Sequence, residues 1–152
     1  MPFRLFLASL LLSLSVGSTA MESGPDHVGS ITQAELLASH SAFANNYARF
    51  QPTENDLVLM QSLEGKRLVV LFGTWCHDSV REIPRLLKLL DESKVKLELA
   101  LYGLDRRKKD PEDYSTKYGL KYTPTIILLD GDTELSRIIE RPYVSLAQDL
   151  SQ

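Results

Sequence analysis

The feature that most constrains this chain is an unbroken apolar, β-favouring run, Leu68-Val69-Val70-Leu71-Phe72. A strand with one wet face alternates apolar and polar side chains. A continuous run belongs to a strand covered on both faces. The chain must therefore build a sheet with cover above and below it. It has one cysteine, so no intramolecular disulfide assists, and the core alone holds the fold. The 152 residues, 43% hydrophobic and 24% charged, suit one globular domain and exclude a disordered tail, a collagen or a multi-span membrane protein. Lys and Arg total 17 against 20 Asp and Glu, a formal charge of −3, which lacks the basic excess of a nucleic-acid binder.

The first residues stand apart. Arg4 is followed by an apolar stretch from Leu5 to Val16, and Ser18-Thr19-Ala20 places small residues before Met21. This is the profile of a cleaved secretory signal peptide, residues 1–20. Its apolar run is short for a bilayer span, and no cysteine follows to carry a lipid, so no stable membrane anchor is expected. Export predicts a periplasmic location, where thiols meet disulfide-forming chemistry. A lone thiol there is unusual.

Residues 21–30, polar and glycine-bearing, read as a flexible leader. Residues 31–64 read as an N-terminal helical extension. Thr32-x-x-Glu35 is a capping box, and apolar residues then recur at helical spacing to Phe50, where Gln51-Pro52 stops the helix. A second helix is predicted over Thr53 to Leu63. The remaining domain, 65–152, starts with the apolar strand, and residues 77–92 follow as a helix with Pro84 inside it. That proline must remove one backbone hydrogen bond. A strand over Val95 to Tyr102 comes next, then a helix opened by Asp110-Pro111 and closed near Tyr118-Gly119. Thr125 to Leu129 and Glu134 to Ile139 are strands joined by the turn Asp130-Gly131-Asp132, and Val144 to Leu150 is a closing helix. The alternation predicts parallel pairing with one antiparallel hairpin, a small mixed α/β sheet flanked by helices.

Cys76 stands where the first strand of that domain meets a helix start. Unpaired amides and the helix dipole there favour a thiolate, which makes sulfur a nucleophile. His77, next in line, would stabilise that thiolate when protonated or shuttle protons when neutral. Cys76, His77 and Asp78 are consecutive, so they do not converge on one metal ion. No metal and no cofactor is expected.

Trp75-Cys76-His77-Asp78-Ser79 followed by Pro84 resembles the active-site segment of the thioredoxin-like superfamily, and Glu82-x-Pro84 looks like its extracytoplasmic, TlpA-type branch. Tyr122-Thr123-Pro124-Thr125 before an apolar strand is similar to the family's second signature, a cis-proline packed against the active-site cysteine. The resemblance implies a thioredoxin-like fold, with catalytic Cys76 and Ser79, and with Trp75, His77, Thr123 and Pro124 meeting the substrate. Protein or low-molecular-weight thiols and disulfides are the implied partners. Ser79 stands where the family carries its resolving cysteine, giving a Cys-x-x-Ser variant, and it would donate a hydrogen bond to the Cys76 thiolate. Val70 stands where thioredoxins often bury an acid, and Asp78 would substitute for it. These departures predict thiol–disulfide exchange through one cysteine, of reductase or isomerase type. The alternative is a non-catalytic module that keeps the groove for protein binding. The basic run Arg106-Arg107-Lys108-Lys109, following a strand parallel to the first, would emerge on the Cys76 side. There it would steer an acidic partner or favour the thiolate, unless it is simply a solvated loop.

Overall fold

The computed structural model describes residues 24–152; the segment read as a signal peptide, 1–20, lies outside them. Strand β2, Arg67–Phe72, is the centre of a five-stranded sheet ordered β1 (Gly29–Ile31), β3 (Glu98–Gly103), β2, β4 (Thr125–Asp130) and β5 (Thr133–Ile139). Its neighbours are β3, Glu98–Gly103, parallel to it, and β4, Thr125–Asp130, antiparallel to it. Edge strand β5, Thr133–Ile139, returns antiparallel from β4 with a register shift at Leu128/Leu129. The expected fold class, a mixed sheet with flanking helices, is the one observed. Among the described residues, however, β2 and β3 are the only neighbouring strands paired in parallel. The helical turns between β3 and β4 carry the chain to the other side of β2 and reverse it.

Leu68 through Phe72 are all fully buried, as an apolar run without alternation requires. Successive side chains enter opposite layers. Leu68, Val70 and Phe72 join Leu101, Ile126 and Ile138 beneath the larger helical layer. Val69 and Leu71 join Tyr102, Leu104 and Ile127 on the other face, covered by Tyr114, Tyr118 and Leu120. Tyr114 stacks on Tyr102 with ring centroids 4.0 Å apart.

The segment 21–30 departs from a flexible leader at its C-terminal end. Gly29–Ile31 forms β1, pairing antiparallel with the outer edge of β3. Nor do the helices of 31–64 stand apart from the domain. Helices α1, Gln33–Ser39, and α2, Ser41–Arg49, replace the one long helix predicted there, and His40 breaks it with extended backbone at φ −126°. The His40 ring is buried, with Nδ1 at 2.9 Å from Ser39 Oγ and Nε2 at 3.3 Å from the Pro25 carbonyl. Phe43 of α2 meets Phe72 of β2 edge-on, centroids 5.9 Å apart. The N-terminal helices thus belong to the core of the whole domain. The Thr32–Glu35 capping box forms as predicted, and the Thr32 hydroxyl's hydrogen bond holds the Glu35 carboxyl below its ordinary value. Helix α3, Glu54–Met60, is capped the same way by Thr53 and Asp56, and ends in a 3-10 turn over Gln61–Leu63.

Helix α4, His77–Ser93, carries Pro84 in its interior. Proline has no N–H, so the Val80 carbonyl one turn earlier loses its helical donor. Asn46 of α2 supplies the replacement, its Nδ2 donating to the Val80 oxygen at 2.8 Å. Helix α5 is shorter than expected, Tyr114–Lys117, because Asp113 sits in the left-handed region at φ 57°. Asp110 is still a cap, its two carboxylate oxygens accepting the Tyr114 and Ser115 amides at 2.8 Å. Helix α6, Leu146–Leu150, closes the chain under the cap of Ser145.

Two substitutions test this arrangement. Asn46→Ala leaves the Val80 carbonyl without its side-chain donor and is expected to cost about 1–2 kcal/mol. Phe43→Ala opens a cavity against Phe72 and is expected to cost about 3–5 kcal/mol. Urea unfolding followed by both circular dichroism and tryptophan fluorescence should show one coincident transition for each variant. Separate transitions would mean that the N-terminal helices fold apart from the sheet.

Candidate functional site

The site begins where β2 ends. Gly73 follows Phe72, and a Cβ there would lie 2.5 Å from the Trp75 ring, so only glycine admits the indole. The Trp75 Nε1 donates to the Leu104 carbonyl at 2.9 Å, fastening the loop after β2 to the loop after β3. The Gly73 carbonyl accepts the Cys76 amide at 3.0 Å, closing a tight turn. This turn delivers Cys76 as the N-cap of α4, in extended backbone. Its own carbonyl accepts the Val80 amide, the first bond of the helix. The strand end and the helix start together fix the position of the sulfur.

Cys76 is partly exposed, and its Sγ lies 3.2 Å from the Thr123 carbonyl oxygen, toward which the thiol donates. Thr123 and Pro124 are both buried, and the peptide bond between them is cis. The Pro124 carbonyl accepts the Glu140 amide at 2.7 Å, and Thr125 Oγ1 donates to the Tyr122 carbonyl at 2.7 Å. The loop before β4 is thus held from both sides. The structure brings Cys76, Thr123 and Pro124 together, although they are distant in sequence.

Ser79 has another orientation than expected. It is fully buried, and its Oγ accepts the Gly73 amide at 3.2 Å. The hydroxyl supports the turn that presents Cys76, and no hydrogen bond from it to the sulfur occurs. Trp75 has its indole N–H committed to Leu104. His77 opens α4 in an exposed position, its ring without a hydrogen bond among the described residues. Asp78 is ion-paired with Arg81 at 2.6 Å, so its negative charge is countered. The Arg81 guanidinium also bonds Glu82, and that bond first, then the one to Asp78, pushes its pKa above the ordinary value. Val70 is a core residue.

Three features escaped the sequence reading. Thr74 Oγ1 accepts the His27 amide at 3.0 Å, tying the segment before β1 to the cysteine loop. Arg106 pairs with Asp26 at 2.8 Å and lies over the Trp75 ring at 6.0 Å, so that segment is fastened there twice. Glu82 was noted only as part of a motif, yet it is 2% exposed, with Oε1 on Arg81 and Oε2 without a hydrogen-bond partner among the described residues. The contacts at 26–27 lack any local signal; a carboxylate two residues before an in-helix proline was the available hint for Glu82. Among the described residues no group of three or more His, Cys, Asp and Glu side chains is arranged to hold a metal ion.

Comparison with known proteins agrees with this geometry. Residues 30–148 match the thioredoxin family. Among solved structures, a Pseudomonas aeruginosa protein of unknown function, PA1234, superposes with a TM-score of 0.55 at 21% identity, covering 78% of this chain and 76% of its own. An HIV epitope scaffold superposes with a TM-score of 0.54 at 21% identity, covering 74% and 73%. At such identities these likenesses concern the fold alone. No curated protein matches the sequence. The match of residues 30–148 spans most of the sequence, both motifs included, and the chain belongs to the thioredoxin family.

Proposed function

We propose that this protein exchanges thiols and disulfides through Cys76 alone, acting on polypeptide disulfides in the periplasm, as an extracytoplasmic, TlpA-type member of its family with a Cys-x-x-Ser site. The observation that carries the reading is the partly exposed sulfur at 3.2 Å from the Thr123 carbonyl, at a helix start and beside Pro124. The export part rests on the sequence of residues 1–20.

The Cys76 thiolate attacks one sulfur of a partner disulfide. A Cys76–partner disulfide forms, and the partner's other sulfur leaves as a thiolate. A second thiol, the partner's own or a small one, then attacks the mixed disulfide and releases Cys76 as thiolate. When the partner's own thiol does this, no net oxidation occurs and its disulfides are rearranged. The segment before Pro124 offers backbone to an extended partner strand. Ser79 takes no covalent part, because a hydroxyl forms no disulfide and this one accepts the Gly73 amide.

The buried, amide-bonded Ser79 also supports the second reading, a binding module without redox turnover. The two are separated by trapping. Reduced protein mixed with a scrambled disulfide protein should yield a covalent adduct that dithiothreitol reverses, and should speed recovery of the native pairing; Cys76→Ala should do neither. No adduct, together with alkylation by iodoacetamide no faster than that of an unstructured cysteine peptide, would sink the exchange reading in favour of binding.

Ser79→Cys supplies a thiol one helical turn from Cys76. It is expected to form an intramolecular disulfide and to gain turnover as a disulfide reductase with dithiothreitol as donor. A folded variant with neither property would count against the exchange geometry.

A further inference from the structure

The loop between β3 and α5 carries four consecutive cations, Arg106 to Lys109, and its structure orders them. Asp105, the acid within that loop, is turned onto the loop's own backbone. Its Oδ1 accepts the Arg107 and Lys109 amides, each at 2.8 Å, while Lys108 adopts φ 61°. Asp110, the next acid, is engaged with the amides of Tyr114 and Ser115. The nearest carboxylates therefore serve backbone N–H groups. Among the described residues no carboxylate forms an ion pair with Arg107, Lys108, Lys109 or Lys121.

These cations surround a hollow of about 410 Å³ lined by Arg107, Lys108, Lys109, Lys121, Ser115 and Leu120, with no acid among its lining residues. Ser115 is 5% exposed, and its hydroxyl has no hydrogen-bond partner among the described residues. A buried hydroxyl without a partner is costly unless something supplies one. The hollow also adjoins the cysteine site. Lys108 Nζ donates to the Lys121 carbonyl at 2.8 Å and lies 5.2 Å over the ring of Tyr122, which is half exposed and precedes Thr123. One wall of the hollow is thus continuous with the loop before β4 that touches Cys76.

We propose that this hollow docks an acidic segment of the polypeptide whose disulfide meets Cys76, its carboxylates seated among Arg107, Lys109 and Lys121. The assignment rests on the exchange reading for the identity of the partner. Four unpaired cations around a concave surface create a local positive field in a chain whose formal charge is −3. That overall charge disfavours a long polyanion such as a nucleic acid, while a short acidic stretch beside a cysteine matches both the charge of the hollow and its continuity with the Thr123 loop. Such a field raises the rate of encounter and selects the partner.

The test uses a fluorescent, cysteine-free peptide rich in Asp and its Asn counterpart, with binding to the full chain read by anisotropy. At low salt the acidic peptide should bind about tenfold more tightly than its amide twin. The preference should fade at high salt and vanish in Lys109→Gln/Lys121→Gln; Arg107→Gln alone should reduce it. Equal binding of both peptides, or a preference that survives both variants, overturns the proposal. Tighter binding of an oligothymidylate of equal charge overturns the assignment of a polypeptide. Because the peptide holds no sulfur, its binding is independent of Cys76. Binding without any trapped adduct supports the hollow and sinks only the exchange reading, whereas adducts without acidic preference sink only the hollow.

Discussion

The burial of β2 on both faces is the constraint on which the rest of this structure depends. Leu68 to Phe72 are wholly withdrawn from solvent, so the strand needs a neighbour on each side and a helical layer above and below. Phe72 receives Phe43 from α2, and Val69 and Leu71 lie in the aromatic layer with Tyr102. A strand pinned in this way has no freedom of register, because a slip by one residue would exchange its two apolar layers. Its C-terminal end therefore emerges at one fixed place. The turn at Gly73, the indole on Leu104 and the hydroxyl of Ser79 carry that precision onward to Cys76. The position of the sulfur is inherited from the core.

Much of this was legible in the sequence, and the reasons differ by element. The unbroken run announced β2, because only a doubly covered strand has no polar positions. The box at Thr32–Glu35 announced its helix start, because capping is a local interaction within four residues. The break at His40 was hidden, because apolar spacing continues across it and the break depends on contacts of its ring with Ser39 and the distant Pro25. Strand β1 was hidden as well. Gly29-Ser30-Ile31 has no pattern of its own, and the free edge of β3 defines it. The parallel pairing expected of every crossover held for β2 and β3 and failed for β4, since the short helix between β3 and β4 permits a reversal that periodicity does not encode.

The candidate site divides along the same line. Cys76 at a helix start was visible from local pattern, and its nearness to Thr123 only through a family resemblance, because no local rule joins residues 47 positions apart. The direction of the Ser79 hydroxyl was beyond reach, since the tertiary turn at Gly73 decides it. The carbonyl that Pro84 strands could be counted from sequence, but its partner on α2 could not.

The chemistry follows from which atoms are already committed. Within reach of Cys76, the serine hydroxyl accepts an amide, the tryptophan N–H donates to a carbonyl, and the nearest acid is paired with Arg81. Beside these stand the partly exposed sulfur, held by its thiol bond to the Thr123 carbonyl, the exposed His77 ring and the cationic hollow beyond Tyr122. A dithiol site holds both halves of its cycle within itself, so nearly any accessible disulfide can serve as substrate. A single sulfur leaves the second half to a thiol that arrives with the partner, and the lifetime of the mixed disulfide then depends on how the partner is held. Under the exchange reading, selectivity in such a protein falls to the surface around the cysteine, which is where the loop from Asp105 to Lys109 presents its ordered cations.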